Sequence, residues 1–299
     1  MKYIESLREG ERINEIYLCK VKQSALTKAG KPYDTLILQD KTGTLDAKIW
    51  EPGSVGIDEF DSLDYIAVMG DITSFQGNLQ LNVKRVRKVQ EGEYDPKDYL
   101  PVSDKDIDQM YEELKGLIAS IKEVHLKKLL ESFFVEDADF EKRFKFHSAA
   151  KTVHHGFVGG LIEHSLSVAK HCDNIAGCNP MLTRDLLITA AIFHDIGKLE
   201  ELSSFPENDY TDDGQLLGHI IIGTEMVGDR IRTIPDFPKG LASELKHCIL
   251  AHHGELEFGS PKKPALPEAL ALSFADNIDA MMETVREIFN TVPDNNQEW

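Results

Sequence analysis

The sequence predicts two domains of opposite class, an all-β barrel followed by an all-α helical bundle. Three observations carry this expectation. Over the first ninety residues, short runs alternate apolar and polar residues and are mostly separated by turn-forming residues. From residue 106 onward, apolar residues recur at three-to-four spacing instead. All 11 histidines of the 299-residue chain lie at or beyond His125, so any imidazole chemistry belongs to the second part.

Five strands are expected, over 13–23, 33–40, 44–51, 65–75 and 79–89. Asp40-Lys41-Thr42-Gly43 suits a hairpin turn between the second and third, and Gln76-Gly77-Asn78 one between the fourth and fifth. The segment 52–63 is irregular. Five short strands in this arrangement suit a barrel of the OB type, with a generic small barrel or an open sheet as the alternative. The charged stretch 91–106 carries two prolines and no apolar periodicity, which marks a connection. The expected boundaries are a barrel domain over 1–92, a linker over 93–103 and a helical domain over 104–299.

The first helix is expected over 106–121, where Ile107, Met110, Leu114, Leu117 and Ile121 share a face behind Ser103 and Asp104 as cap candidates. Further helices are expected over 125–134, 157–176, 183–195, 217–234, 239–253 and 267–290. The final TVPDNNQEW reads as a frayed tail.

Composition narrows the class. With 41% hydrophobic and 28% charged residues, the chain reads as a soluble globular protein with sizeable cores. No apolar run approaches the ~18 residues of a membrane span, and the charged N-terminus lacks a signal-peptide core. Four cysteines without a CxxC pair read as reduced thiols. The expectation is a cytoplasmic protein with no membrane partner. The net charge of -18 argues against binding nucleic acid, yet it is unevenly spread. Residues 1–92 hold 13 of the 33 basic but only 14 of the 51 acidic residues, so a near-neutral barrel can still present a basic face.

Four polar signals interrupt apolar helical segments. They are His164 in "VGGLIEHSLSVAKH", His194-Asp195 after "LLITAAIF", His219 in "QLLGHIIIGTEM", and His252-His253 after "LKHCIL"; Asp276 follows in "ALSFADNIDAM". A lone histidine in such a place is more often a satisfied core residue than a ligand. The group changes the argument, because burying all of these without partners costs several kcal/mol. A divalent cation shared among converging helices would satisfy them together. The donors are nitrogen and oxygen with no thiolate, which suits Mn, Fe, Co, Ni, Zn or Mg. Asp195 could bridge two ions ~3.5–4 Å apart, a spacing suited to in-line displacement at phosphorus. Helical geometry leaves open which of His252 and His253 faces inward, because neighbours on a helix point ~100° apart.

His164, His194-Asp195 and Asp276, with "HDIGK", resemble the H…HD…D signature of the HD phosphohydrolase superfamily. The OB-like front part, "HSAAKTVHHGFVGGLIEHSLSVA" (147–169) and "ILAHHGELEFGSP" (249–261) extend the likeness to YhaM-type 3′→5′ exoribonucleases over nearly the whole chain. The resemblance implies a first metal on His164, His194, Asp195 and Asp276, and a second on Asp195, His219 and His252 or His253. Two ions are implied, with Mn2+ favoured and Mg2+, Co2+, Fe2+ and Ni2+ compatible. It also places Lys198 on phosphate oxygens, against a plain reading as a helix C-terminal charge after Gly197. His154 and His155, at the entrance to the His164 helix, could touch a phosphate or protonate a leaving oxygen. The implied reaction is metal-assisted hydrolysis of single-stranded RNA, and of single-stranded DNA, to nucleoside 5′-monophosphates. HD enzymes acting on cyclic dinucleotides carry GYP after the histidine pair, where this chain has "GELEFGSP". A non-catalytic adaptor would be expected to have lost ligands.

For the barrel, a grip on single strands needs cations along the backbone and aromatics under the bases. Lys20, Lys22, Lys28, Lys31 and Tyr33 are candidates near the first hairpin, with Lys84, Arg85, Arg87 and Lys88 on the last strand. In a regular strand, Lys84 and Lys88 face one way and Arg85 and Arg87 the other. Tyr17, Trp50 and Phe75 read equally well as core. A homo-oligomer is a further expectation.

Overall fold

Five strands form where the alternation places them: β1 (Arg12–Leu26), β2 (Pro32–Asp40), β3 (Gly43–Ile49), β4 (Tyr65–Phe75) and β5 (Asn78–Lys88). In this computed structural model, which describes residues 1–151 and 155–291, they close in the order β1-β2-β3-β5-β4. β1 pairs antiparallel with both β2 and β4, and a short parallel contact of β3 with β5 completes the circuit. Closure leaves no edge strand, and the strand order is that of the OB fold. Period-two burial fills the interior. Along β2, Asp34, Leu36, Leu38 and Asp40 point inward, where the two leucines meet Tyr17, Ala47, Ile66 and Leu81. The buried carboxylates at either end of β2 are both satisfied. Asp34 accepts from the Ser24 hydroxyl, and Asp40 from the backbone amides of Ile4 and Thr42.

Two bulges break the regular alternation. On β1 the register shifts between Cys19 and Val21, and on the β4–β5 ladder Met69 faces Arg85 while Gly70 faces Val83. Lys84 is therefore an extra residue, and Val83 and Val86 both turn inward. The two-faced division expected for Lys84, Arg85, Arg87 and Lys88 does not hold, and all four are exposed.

Residues up to Pro101 belong to the barrel unit, and the second unit begins at Val102. Within the segment expected as a linker, Tyr94 stacks on Tyr65 at 3.8 Å, Tyr99 and Leu100 are buried, and Asp98 accepts from the Tyr3 hydroxyl.

The second unit is helical: α1 (Ile107–Ser120), α2 (Val124–Phe134), α3 (Ala138–Phe146), α4 (Gly160–Cys178), α5 (Arg184–Phe193), α6 (Lys198–Glu201), α7 (Asp212–Leu216), α8 (Gly218–Thr233), α9 (Lys239–Leu250) and α10 (Pro267–Thr291). Asp106 caps α1 through the Gln109 amide, in place of Ser103 or Asp104. From Leu186 to Phe193, α5 is buried on every side, as an all-apolar helix must be, and it packs directly on α4. Phe133, Phe134, Phe140, Phe144 and Phe193 meet mostly edge-on or tilted around the N-terminal helices, with Phe140 and Phe144 stacked. Helix α3 was not expected, because among its nine residues only Phe140 and Phe144 are buried. That is too short a pattern to show a period.

Candidate active site

His164 and Asp276 project from within α4 and α10 and His219 from the start of α8, whereas His194-Asp195 and His252-His253 lie where the chain stops being helical. α5 ends at Phe193, and His194 to Gly197 form a turn before α6. Gly197 has φ -65°, so it is no left-handed helix cap. Its reason is proximity: a Cβ there would stand 2.0 Å from the His219 carbonyl oxygen and 2.6 Å from the Gly223 nitrogen. This contact brings the start of α8, with His219, against the His194-Asp195 turn. His252 and His253 lie in the turn after α9, so the helical ~100° separation does not apply to them. Both join His219 in one cluster.

Asp195 lies at the centre. Its Oδ2 is 3.2 Å from His164 Nε2 and 3.4 Å from His194 Nε2, and its Oδ1 is 3.4 Å from His219 Nε2 and 3.7 Å from His252 Nε2. Asp276 Oδ1 is 3.2 Å from His164 Nε2 and 3.7 Å from His194 Nε2.

Each imidazole is held by its other nitrogen. His194 Nδ1 donates to Ala191 O at 2.7 Å, His252 Nδ1 to Ile249 O at 2.6 Å and His253 Nδ1 to Phe258 O at 2.8 Å. His164 Nδ1 donates to Asp279 Oδ2 at 2.7 Å and His219 Nδ1 to Glu201 Oε1 at 3.0 Å. A carbonyl or carboxylate oxygen only accepts, so each Nδ1 carries a proton and Nε2 is the nitrogen that each ring presents to the centre. This is the outer-shell arrangement that orients histidine ligands on a metal.

The residues fit a divalent cation on two further grounds. Asp195 Oδ1, His219 Nε2 and His252 Nε2 are buried with no hydrogen-bond partner among the described residues, which is costly unless something else binds them. The Nε2 atoms of His164 and His194 also stand 3.0 Å apart, a contact of two lone pairs that needs a proton or a cation between them.

The electrostatics agree. Burial opposes a charge on His164, yet contacts with Asp195, Asp276 and Asp279 raise its pKa well above the ordinary value. Burial also opposes ionisation of Asp195, but Lys198 and His194 outweigh it and hold the carboxyl well below the usual range. Asp276 is held low against burial by His164 and His194, and Asp279 by His155 and His164. Burial, with His194 and His253 nearby, keeps His252 neutral by lowering its pKa. Three ionised carboxylates thus demand positive charge in a buried place.

Two orienting residues escaped the sequence reading. Asp279 lies three residues after Asp276 on α10, so the same-face spacing was available as a signal. Glu201, which also accepts from the His219 amide at 3.0 Å, had no comparable signal. Lys198 Nζ lies 2.6 Å from Asp195 Oδ2. It gets there across the turn, since the α5 helix does not persist. His155 is buried with φ +66°; its Nε2 is 3.2 Å from Asp279 Oδ2 and its Nδ1 has no partner among the described residues. His154 lies outside the described residues. A cavity of about 570 Å³ opens over the cluster, lined among others by His155, Asp195, Lys198, Phe258 and Asn277.

On the barrel, the expected cations divide. Lys84 pairs with Asp71, Arg87 with Glu93 and Lys88 with Asp64, and Lys22 donates to Phe60 O from a half-buried position. Lys20, Lys28, Lys31 and Arg85 are exposed. Tyr17 is core, but Trp50 and Phe75 are half exposed or more. Trp50 stacks on Tyr33 with ring centroids 5.4 Å apart, and Lys48 lies over the Tyr33 ring.

No helix among the described residues is long and apolar enough to cross a membrane. The HD domain family matches residues 161–281. The 3′-5′ exoribonuclease YhaM of Geobacillus sp. (strain WCH70) is 33% identical over 92% of this chain and 84% of its own length. The protein of that name from Bacillus velezensis is 34% identical over 91% and 86%. Among solved structures, the second OB-fold domain of replication protein A from Methanococcus maripaludis is 19% identical and covers 31% of this chain and 98% of that domain, with a TM-score of 0.23. With an HD domain behind a closed five-stranded barrel, the chain belongs to the YhaM family of 3′→5′ exoribonucleases, hydrolytic enzymes of the HD class.

Proposed function

We propose that this protein is a metal-dependent 3′→5′ exoribonuclease of the cytoplasm that trims single-stranded RNA, and single-stranded DNA as a second substrate, to nucleoside 5′-monophosphates. The observation that carries the reading is the convergence of buried donor atoms of Asp195, His219 and His252, without hydrogen-bond partners among the described residues, beneath one cavity.

His164, His194, Asp195 and Asp276 would hold one ion, and Asp195, His219, His252 and His253 a second. Divalent ions there, Mn2+ favoured and Mg2+, Co2+, Fe2+ or Ni2+ compatible with the same donors, would polarise phosphoryl oxygens and lower the pKa of water. Lys198, fixed against Asp195, brings a permanent positive charge to the phosphoryl oxygens as negative charge builds on them. His155 stands at the cavity wall with Asp279 behind it and an Nδ1 that has no partner among the described residues, the arrangement of a group that can protonate the leaving 3′ oxygen; His154 shares this assignment by its place in the sequence. Asp279 and Glu201 keep His164 and His219 in the tautomer that presents Nε2.

In the barrel, Tyr33 and Trp50 form a stacking surface for bases, with Lys20 and Lys31 as exposed cations for the backbone. Lys22, Lys84 and Arg87 contribute only by exchanging their present partners, and Arg85 is an exposed contributor on β5. Base stacking is sequence-tolerant, which suits a trimming enzyme. Self-association belongs to the same reading.

The test is purified protein with Mn2+ on 5′-labelled single-stranded RNA, single-stranded DNA and a blunt duplex. A ladder shortening from the 3′ end of the single strands is expected, abolished by EDTA and by Asp195→Ala. Turnover of mononucleotides or cyclic dinucleotides alone, or binding without turnover, would overturn the proposal.

A further inference from the structure

Helix α10 serves the active site with one face and presents to solvent a face that soluble helices normally bury. Asp276 and Asp279 point to the histidine cluster, and Ala269, Leu272 and Ala275 pack into the core. On the opposite side Leu270, Phe274, Ile278, Met281, Val285 and Phe289 are 42 to 75% exposed. Their spacing of three or four residues makes a continuous stripe about 28 Å long at the helical rise.

With Met282 and Ile288 beside them, these side chains leave about 800 Å² of apolar surface, taking large side chains at roughly 150–250 Å² each. That exceeds the roughly 300–600 Å² patch of an ordinary monomer, and it equals the ~800 Å² that each partner contributes to a standard interface.

We propose that two copies of this chain pair through α10, antiparallel about a two-fold axis. This deepens the self-association reading and is independent of the nuclease reading.

Charge selects the occupant. The chain carries -18 overall, nearly all of it beyond residue 92, so most approaches of two copies are repulsive. The stripe is the exception, because among the described residues it bears no charge. Arg286, the exposed charged residue of α10 among those described, turns back to Glu163 at 3.1 Å and to Glu283. A nucleic acid would need free cations there, and a membrane surface would need a basic rim.

The stripe is also self-complementary, as an isologous contact requires. With the axis between Asp279 and Ala280, Leu270 faces Phe289 of the second copy, Phe274 faces Val285 and Ile278 faces Met281. Every pair is apolar on apolar, and this one register satisfies all three. The dimer would back the helix that carries Asp276 and Asp279 from the side away from the cavity.

The test is sedimentation equilibrium of the full chain, with twice the monomer mass expected at micromolar concentration. The double variant Phe274→Glu, Ile278→Glu should sediment as a monomer with unchanged helical circular dichroism. In a Cys178→Ser background, Ile278→Cys should give an intermolecular product with a bismaleimide of about 10 Å span, matching helix axes 8–10 Å apart. That readout decides the matter even where the glutamate variant fails to fold. A monomeric wild type, a dimer that survives both glutamates, or absence of the cross-link would overturn the proposal. None of these outcomes depends on nuclease activity.

Discussion

Asp279 Oδ2 lies 2.7 Å from His164 Nδ1, which fixes the ring nitrogen that His164 presents to Asp195 and Asp276. Asp279→Asn should therefore weaken metal binding about 10–100-fold, the range for loss of such an orienting group. Calorimetric titration with Mn2+ measures this directly. Unchanged affinity would show that the contact is not what orients the ring.

Lys198→Met tests the charge placed beside Asp195. Removing one electrostatic stabiliser of a developing anion costs about 10²–10³ in kcat. We expect that loss with KM little changed, since the interaction strengthens only as charge develops. A raised KM at constant kcat would assign Lys198 to ground-state binding instead.

Gly197→Ala places a methyl group 2.0 Å from the His219 carbonyl oxygen, and the atoms it meets are all main chain of α8, which leaves nothing flexible to yield. Overpacking of this kind costs about 1–3 kcal/mol. Urea denaturation followed by helical circular dichroism should show a lowered midpoint for the helical unit.

Trp50→Ala should raise KM on long single strands roughly 5- to 150-fold, the equivalent of about 1–3 kcal/mol per stacked base. Turnover of a dinucleotide should stay near that of the wild type. Lys84→Ala is the contrast: with Asp71 already its partner, it should change KM on the same strands far less. Equal losses on long and short substrates would mean that Trp50 acts through barrel stability.

Much of this architecture is legible in the sequence because burial leaves a period. β2 alternates without a break, and the all-apolar α5 could only be a buried element. Where the period fails, so does the reading. The Lys84 bulge inserts one residue and changes which β5 side chains share a face, and α3 turns only two phenylalanines inward. Trp50 and Phe75 flank turns, where an aromatic ring stays exposed without leaving any mark in a hydrophobic pattern. The metal-type residues stood out because each interrupts an apolar run. Glu201 did not, since it follows another glutamate in a charged segment and becomes significant only when α8 folds against it.

The five imidazole tethers divide the site by what could alter it. His194, His252 and His253 are aimed by main-chain carbonyls of Ala191, Ile249 and Phe258, atoms that every amino acid supplies. Their orientation survives any substitution that preserves the backbone path. His164 and His219 are aimed by the side chains of Asp279 and Glu201, which a single codon change can replace. Divergence in metal preference or affinity within this scaffold is thus channelled through two carboxylates that touch neither the substrate cavity's mouth nor, by their orienting oxygens, the shared centre at Asp195.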